Sequence, residues 1–256
     1  MKWPVVILIL FSALVLTITA GWDFVSAIVF PNTTVGLYSK DFFENVLVEA
    51  HGMILDIAVL GVVLLWFEKR GATVQLVAQN KKAIAYLKFY RGVDASFRVY
   101  EAVRNLQELK CKTIALPNAN LTDLQIQELN LEKANLQNCN FSRSTLEKCE
   151  FVDCEADAAL FIDAKLKQTK FVRTKLRRAK FVNAKLNGCD FTSAEITNAD
   201  FTKADLRSAI FKGVDCRGIH FDHADLTAAN FIGALNLTQQ QRDSAESCKN
   251  AKFGQG

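Results

Sequence analysis

Read at every fifth residue, the chain shows one apolar column from Leu121 to Phe231 without an insertion. The column runs through Leu131, Phe141, Phe151, Phe161, Phe171, Phe181, Phe191, Phe201, Phe211 and Phe221, with mostly Leu between them. Two residues before each member stands a small one, such as Ala164, Thr169, Thr174, Ala179, Ala184 or Cys189. A period of five fits neither the 3.6 of a helix nor the 2 of a strand, so it marks a repeat architecture. From Phe141 onward, Phe returns at every tenth position. If four units close one square turn, residues twenty apart stack. Phe141, Phe161, Phe181, Phe201 and Phe221 then line one inner wall, and Phe151, Phe171, Phe191, Phe211 and Phe231 the opposite one. Leu146, Leu166, Leu186, Leu206 and Leu226 fill a third wall. The fourth is less regular: Leu136, Ala156, Leu176, Ile196 and Cys216. Coils would lie about 4.8 Å apart, the spacing of paired strands.

Units such as Ala164-Lys165-Leu166, Ala204-Asp205-Leu206 and Ala224-Asp225-Leu226 resemble the A-[DN]-L-x-x units of pentapeptide-repeat proteins. The resemblance implies an all-β fold, a right-handed quadrilateral β-helix, over residues 119–235. For function it implies little.

Two apolar stretches precede the repeats. Residues 3–22 carry no charge and are long enough, about 30 Å as a helix, to cross a bilayer. Trp3 and Trp22 at the two ends suit interfacial anchoring. A cleaved signal peptide is the alternative, but only Lys2 flanks the stretch and Ile18 stands where a cut after Ala20 prefers a small residue. The second stretch, 46–67, ends in Trp66-Phe67 followed by Glu68-Lys69-Arg70. Residues 23–45 hold one basic residue, Lys40, whereas 68–91 hold Lys69, Arg70, Lys81, Lys82, Lys88 and Arg91. Positive-inside asymmetry predicts a multi-pass anchor over residues 1–70, with the solenoid in the cytoplasm. The segment Glu44 to Met53, followed by an apolar run and Glu68-Lys69-Arg70, resembles the second-span region of bacterial two-span membrane proteins bearing pentapeptide repeats. That resemblance implies the bacterial inner membrane as location.

Residues 71–118 read as a helical linker and an N-terminal cap. Lys81, Lys82 and Lys88 could face anionic lipid. Asp94 is placed to cap a helix over 94–110 with an apolar face of Ala95, Val99, Ala102, Val103, Leu106 and Leu109. Such a cap covers the open end of a solenoid. At the far end, in residues 236–256, Leu237 to Ala245 resembles the short helix that closes bacterial solenoids of this family. The final eleven residues are expected to be loose.

Composition adds limits. Net charge is +4, too small to point to a nucleic-acid partner. Cys139, Cys149, Cys154, Cys189 and Cys216 fall on inward positions, none twenty residues from another, and read as buried reduced thiols. Neither zinc-ligand spacing, a phosphate loop nor a nucleophile–base set occurs, so no catalytic residue, metal or cofactor is expected.

Candidate sites are therefore surfaces. Lys165, Lys170, Lys175, Lys180 and Lys185 precede the central residue of five successive units, and Lys167, Arg173, Arg177 and Arg178 bring the cluster to nine cations. One reading is a basic girdle for an acidic partner. The other is register pairing between coils, since Lys170 falls between Glu150 and Asp190, Lys175 between Glu155 and Glu195, Lys167 beside Glu147, Arg173 beside Asp153 and Arg177 beside Asp157. Leu160, Ile162 and Val182 share an outer face, and so do Val152 and Val172. These are strand-forming residues or a contact with a partner or second copy. Within the second apolar stretch, Asp56, with Glu49 and His51 nearby, is a candidate intramembrane polar site. The function expected is a non-catalytic, membrane-anchored scaffold that binds an unidentified protein. Two alternatives stand beside it: a sensor using Asp56 and His51, and the topoisomerase-directed DNA mimicry known for some pentapeptide-repeat proteins. Mimicry needs an acidic surface, and over 119–235 there are 16 acidic and 16 basic residues.

Overall fold

In the computed structural model, residues 2–29, 40–88, 90–111 and 113–254 are described. The Trp3 side chain and residues 30–39, between the two expected spans, lie outside the described residues. The chain divides into two compact units, Met1–Thr73 and Val74–Gly256.

In the first unit, α1 (Lys2–Ala20) ends at Gly21 and α2 (Trp22–Val29) starts immediately after it. The segments Ile9–Ala20 and Trp22–Ile28 meet at 77°. Glycine is a usual site for so sharp a break. The expectation of one straight span over 3–22 is corrected here, because Trp22 begins a new helix rather than ending the first. Hydroxyls inside α1 bond back to their own helix, Thr17 to the Ala13 carbonyl at 2.6 Å and Thr19 to that of Val15 at 2.8 Å. The Trp22 indole donates to Glu44 Oε1 at 2.9 Å, tying the elbow to α3 (Lys40–Leu87).

The expected stretch 46–67 lies inside α3, a helix of 48 residues. Nothing in 68–87 breaks it: Pro is absent and Gly71 is the sole glycine. Val62, Val63, Leu64 and Leu65, each about 100° further round the helix, are all exposed. Among the described residues, α3 is one helix long and apolar enough to cross a membrane, and the bent pair would make a second span.

The second unit is the solenoid with its caps. Every member of the five-residue column is buried, as are the small residues two before it. Strand pairing is parallel with a register of twenty: β1 (Gln125–Gln127) pairs with β3 (Thr145–Glu147), which pairs with β5 (Lys165–Lys167), and β2 (Asn130–Glu132) pairs with β4 (Glu150–Val152). Beyond β5 the same register continues as single bridges, such as Lys180↔Asp200 and Asp205↔Asp225. Backbone bonds hold each coil to the next, as in Phe161 N–H to the Lys180 carbonyl at 2.7 Å and Lys180 N–H to that of Ala159 at 2.9 Å.

Inside, Phe161, Phe181 and Phe201 stack at 4.8 Å, nearly coplanar. Phe171, Phe191 and Phe211 stack at 5.3 and 5.1 Å. The two columns meet edge to face, Phe181 against Phe191 at 5.7 Å, so the core is both stacked and T-shaped. Polar residues at the small position use a spare carbonyl of the coil below: Ser144 Oγ bonds Leu121 O at 2.6 Å, Thr174 Oγ1 bonds Phe151 O at 2.7 Å, and Cys139 Sγ bonds Leu116 O at 2.7 Å. At nearly every unit, the second residue after the central one has positive φ, even where it is Lys133, Arg143, Asp163 or Lys203. The backbone bonds of each corner fix this left-handed conformation against the side chain's preference.

The ends differ from expectation in three ways. The solenoid begins earlier, since Ile114 and Leu116 are buried and Ala115 bridges Asn135. The cap helix α4 (Val93–Glu108) has Gly92 as its N-cap, without a side-chain cap bond. Asp94, already inside the first turn, instead pairs with Arg98 at 3.3 Å. Ser96, Val99, Ala102, Val103 and Leu106 form its buried face. At the far end, the helix is shorter, α5 (Gln239–Asp243), opened by a capping box between Thr238 and Gln241. The tail after it is not loose. β7 (Lys252–Phe253) pairs with β6 (Asn230–Phe231), and Phe253 stacks on Phe231 at 5.6 Å.

Both caps use a glutamine to close open backbone. Gln107 donates to the Glu128 carbonyl at 3.2 Å and accepts from Asn130 N–H at 3.1 Å. Gln241 donates to the carbonyls of Cys216 at 2.7 Å and Ile219 at 2.9 Å. Each amide replaces bonds that a further coil would have made, which protects an otherwise open sheet edge.

Candidate interaction surface

The residue before each central one points outward and meets its counterpart twenty positions away across one strand spacing. That geometry divides eight of the nine cations, all but Arg178. Lys167 reaches Glu147 at 3.2 Å, Lys170 reaches Glu150 at 2.6 Å, Arg173 reaches Asp153 at 2.7 Å and Lys175 reaches Glu155 at 3.2 Å. Arg177 grips Asp157 from both side chain and backbone. A sixth pair of the same kind, Arg143 with Asp123 at 2.7 Å, lies one coil lower. Sequence reasoning missed it, although the spacing of twenty was the signal. In every pair the cation bonds the coil below. The expected upper partners are otherwise engaged or unpaired: the Asp190 carboxylate takes the N–H and hydroxyl of Thr192, and among the described residues no ion pair joins Glu195 to Lys175.

These pairs move the titration of the acids. Hydrogen bonds from Arg173 and Arg143 hold the Asp153 and Asp123 carboxyls below the usual range. Burial alone would push the Asp157 carboxyl up, but the Arg177 side chain and N–H outweigh it, and the net shift is downward.

Lys165, Lys180 and Lys185 behave differently. Among the described residues no ion pair reaches any of them. Lys180 lies over Leu160. Lys165 lies directly against Lys185, cation upon cation, with Thr145 below. The acid next in that column, Asp205, is held by Arg207 at 2.7 and 2.8 Å and by Asn187 at 2.9 Å. Both lysines are exposed.

The apolar candidates form no open patch. Leu160, Ile162 and Val182, like Val152 and Val172, are half-buried in the coil-to-coil packing. Large exposed apolar side chains of the solenoid are found instead near its C-terminal end, at Ile232 and Leu235. A groove of about 550 Å³ beside α5 is lined by Arg217, His220, Asp222 and Gln240 among others, and its Arg217 is already paired with Asp215.

In α3, His51 donates from Nδ1 to the Leu47 carbonyl at 2.7 Å, while Glu49 and Asp56 are exposed. Among the described residues no bond joins the three. Burial pushes the thiols of Cys139, Cys189 and Cys216 up to about 12 and those of Cys149 and Cys154 up to about 11. They stay protonated and unreactive at neutral pH. All seven cysteines are free. Among the described residues, no group of three His, Cys, Asp or Glu could hold a metal ion.

With the coil geometry described, the family patterns can be placed on it. "Pentapeptide repeat region" matches residues 131–201, and "Pentapeptide repeats (8 copies)" matches residues 199–235. This solenoid is a pentapeptide-repeat region. The pentapeptide-repeat fold recurs in solved structures. Rfr23 from the cyanobacterium Cyanothece 51142 is 18% identical, over 59% of this chain and 97% of that one, with a TM-score of 0.34. Full-length QnrB1, a plasmid-mediated fluoroquinolone resistance protein, is 15% identical, over 54% and 79%, with a TM-score of 0.28. A pentapeptide-repeat protein of the Arabidopsis thaliana thylakoid lumen is 24% identical, over 47% and 72%, with a TM-score of 0.19. No curated protein matches this chain.

Proposed function

We propose that the protein is a non-catalytic scaffold of a bacterial inner membrane, displaying a cytoplasmic pentapeptide-repeat solenoid that docks an acidic segment of another protein. The observation that carries the docking reading is the Lys165–Lys185 column. Like charges one strand spacing apart oppose folding, and six cations of this solenoid avoid that arrangement by pairing with an acid in the coil below. The acid-upon-acid stack of Asp205 and Asp225 is bridged by Arg207, whereas no ion pair among the described residues reaches Lys165 or Lys185, so this stack gains when a carboxylate-bearing partner relieves it. Display at a membrane is supported by the apolar α3, by the bent helix pair, and by the excess of Lys and Arg after residue 67. Duplex mimicry is disfavoured, because the cations of residues 165–185 interrupt any acidic track along the solenoid.

Crosslinking in cells, followed by recovery from membranes, tests the reading. Lys165→Gln with Lys185→Gln should melt at or above the wild-type temperature and lose Asp/Glu-rich crosslinked peptides. Lys170→Gln with Lys175→Gln should keep them. Retention of the same partner by the first variant, or crosslinks to nucleic acid in place of an acidic protein, would contradict it.

A further inference from the structure

The elbow at Gly21 leaves a helix whose surface is inverted. In α2 the polar Ser26 is only 6% exposed, its hydroxyl turned back to the Asp23 carbonyl at 3.2 Å. Phe24 is 73% exposed and Ile28 is 62% exposed. These two lie four residues apart, so they share one face. For a helix bathed in water this is the wrong way round.

We propose that α2 is an in-plane helix, seated by Phe24 and Ile28 in the boundary between headgroups and acyl chains of the non-cytoplasmic leaflet. The proposal rests on the membrane reading above and adds to it the place of this segment. Eight residues extend about 12 Å, far short of the roughly 30 Å apolar core of a bilayer. With α1, 19 residues and about 28 Å long, crossing the bilayer, the 77° between Ile9–Ala20 and Trp22–Ile28 lays α2 near the membrane plane. Apolar side chains are exposed on α1 as well, at Leu10, Leu14 and Leu16, and on α3, at Val48 and Leu55. Trp22 opens the helix with its indole N–H satisfied by Glu44, the arrangement of an aromatic ring held at an interface. Asp23 is exposed beside it. Lipid fits this face better than a protein does. A two-residue strip is far smaller than the roughly 800 Å² per partner of a stable interface, whereas an interfacial helix needs only to sink shallowly.

The test uses the full chain in phosphatidylcholine nanodiscs, with a fluorescent coumarin amino acid replacing Phe24 or, separately, Leu60 in α3. Both sites are exposed, so neither replacement disturbs packing. Nitroxide-labelled lipids quench from acyl carbon 5 or carbon 12. At position 24 the shallow nitroxide should quench more than the deep one, and at position 60 the order should reverse. Quenching at 60 with none at 24, or stronger deep quenching at 24, would overturn the in-plane helix while leaving the membrane reading standing. Absence of quenching at both positions would overturn both.

Discussion

Lys170 and Lys185 occupy the same position in their five-residue units and meet opposite surroundings. Below Lys170 stands Glu150, close enough for an ion pair, while below Lys185 stands Lys165. The difference is one of sequence alone, since the backbone places both residues alike. Pairs at this distance across strands stabilise when opposite and destabilise when alike. Converting Lys170 and Lys175 to Glu is therefore expected to lower the melting temperature by setting acid upon acid. Converting Glu150 and Glu155 to Lys in the same chain should restore it, because neighbouring sites couple. Recovery is complete only when Asp190 and Glu195 are reversed as well, since each lies one strand spacing above a converted lysine. An unchanged melting temperature in the first variant, or no recovery in the second, would contradict coil-to-coil pairing. This register was legible from spacing, including the pairs of Lys167, Arg173 and Arg177. Which neighbour each lysine would choose was not, since that depends on which acids are already held by Thr192, Arg207 or Asn187.

At the scale of elements, the stacked phenylalanine columns carry the solenoid. Phe181 touches rings above, below and across the interior. Its replacement by Ala should cost about 3–5 kcal/mol in denaturant unfolding, since the rigid coils around it cannot collapse into the space. Phe253→Ala should cost less, because that ring is only half-buried at the end of its stack. Equal stability of wild type and Phe181→Ala would contradict the twenty-residue stack. The same elements show where the sequence was readable. The column from Leu121 to Phe231 is unbroken and was plain. The last pairing was hidden because α5 and its flanks shift the column by two residues. Ala251-Lys252-Phe253 repeats Ala179-Lys180-Phe181 residue for residue, but out of phase with every fifth position counted from Leu121. The first unit was hidden by Ile114 at a small-residue position and by Pro117. Nothing in twenty uncharged residues marked the elbow at Gly21 except the glycine itself. The left-handed corners were silent too, since Lys, Arg and Asp together occupy more of them than Gly does.

At the scale of the whole molecule, the proposed scaffold needs little chemistry from its own residues: an anchor, a capped rod and a charged column that its register leaves unmatched. Lys165 and Lys185 have a meaning as a docking surface only where a cytoplasmic partner can reach them. Display on the cytoplasmic side of a membrane is thus the claim on which the rest depends. This proposed placement is supported by one basic residue in 23–45 against six in 68–91, and by the buried, protonated thiols that suit a reducing compartment. Reporters fused after Gly256 measure it directly, one active only in the cytoplasm and one only in the periplasm, each assayed in fractionated cells. The account predicts a membrane-bound fusion in which the cytoplasmic reporter works and the periplasmic one is silent. A working periplasmic reporter, or a cytoplasmic fusion released from the membrane fraction, would contradict it.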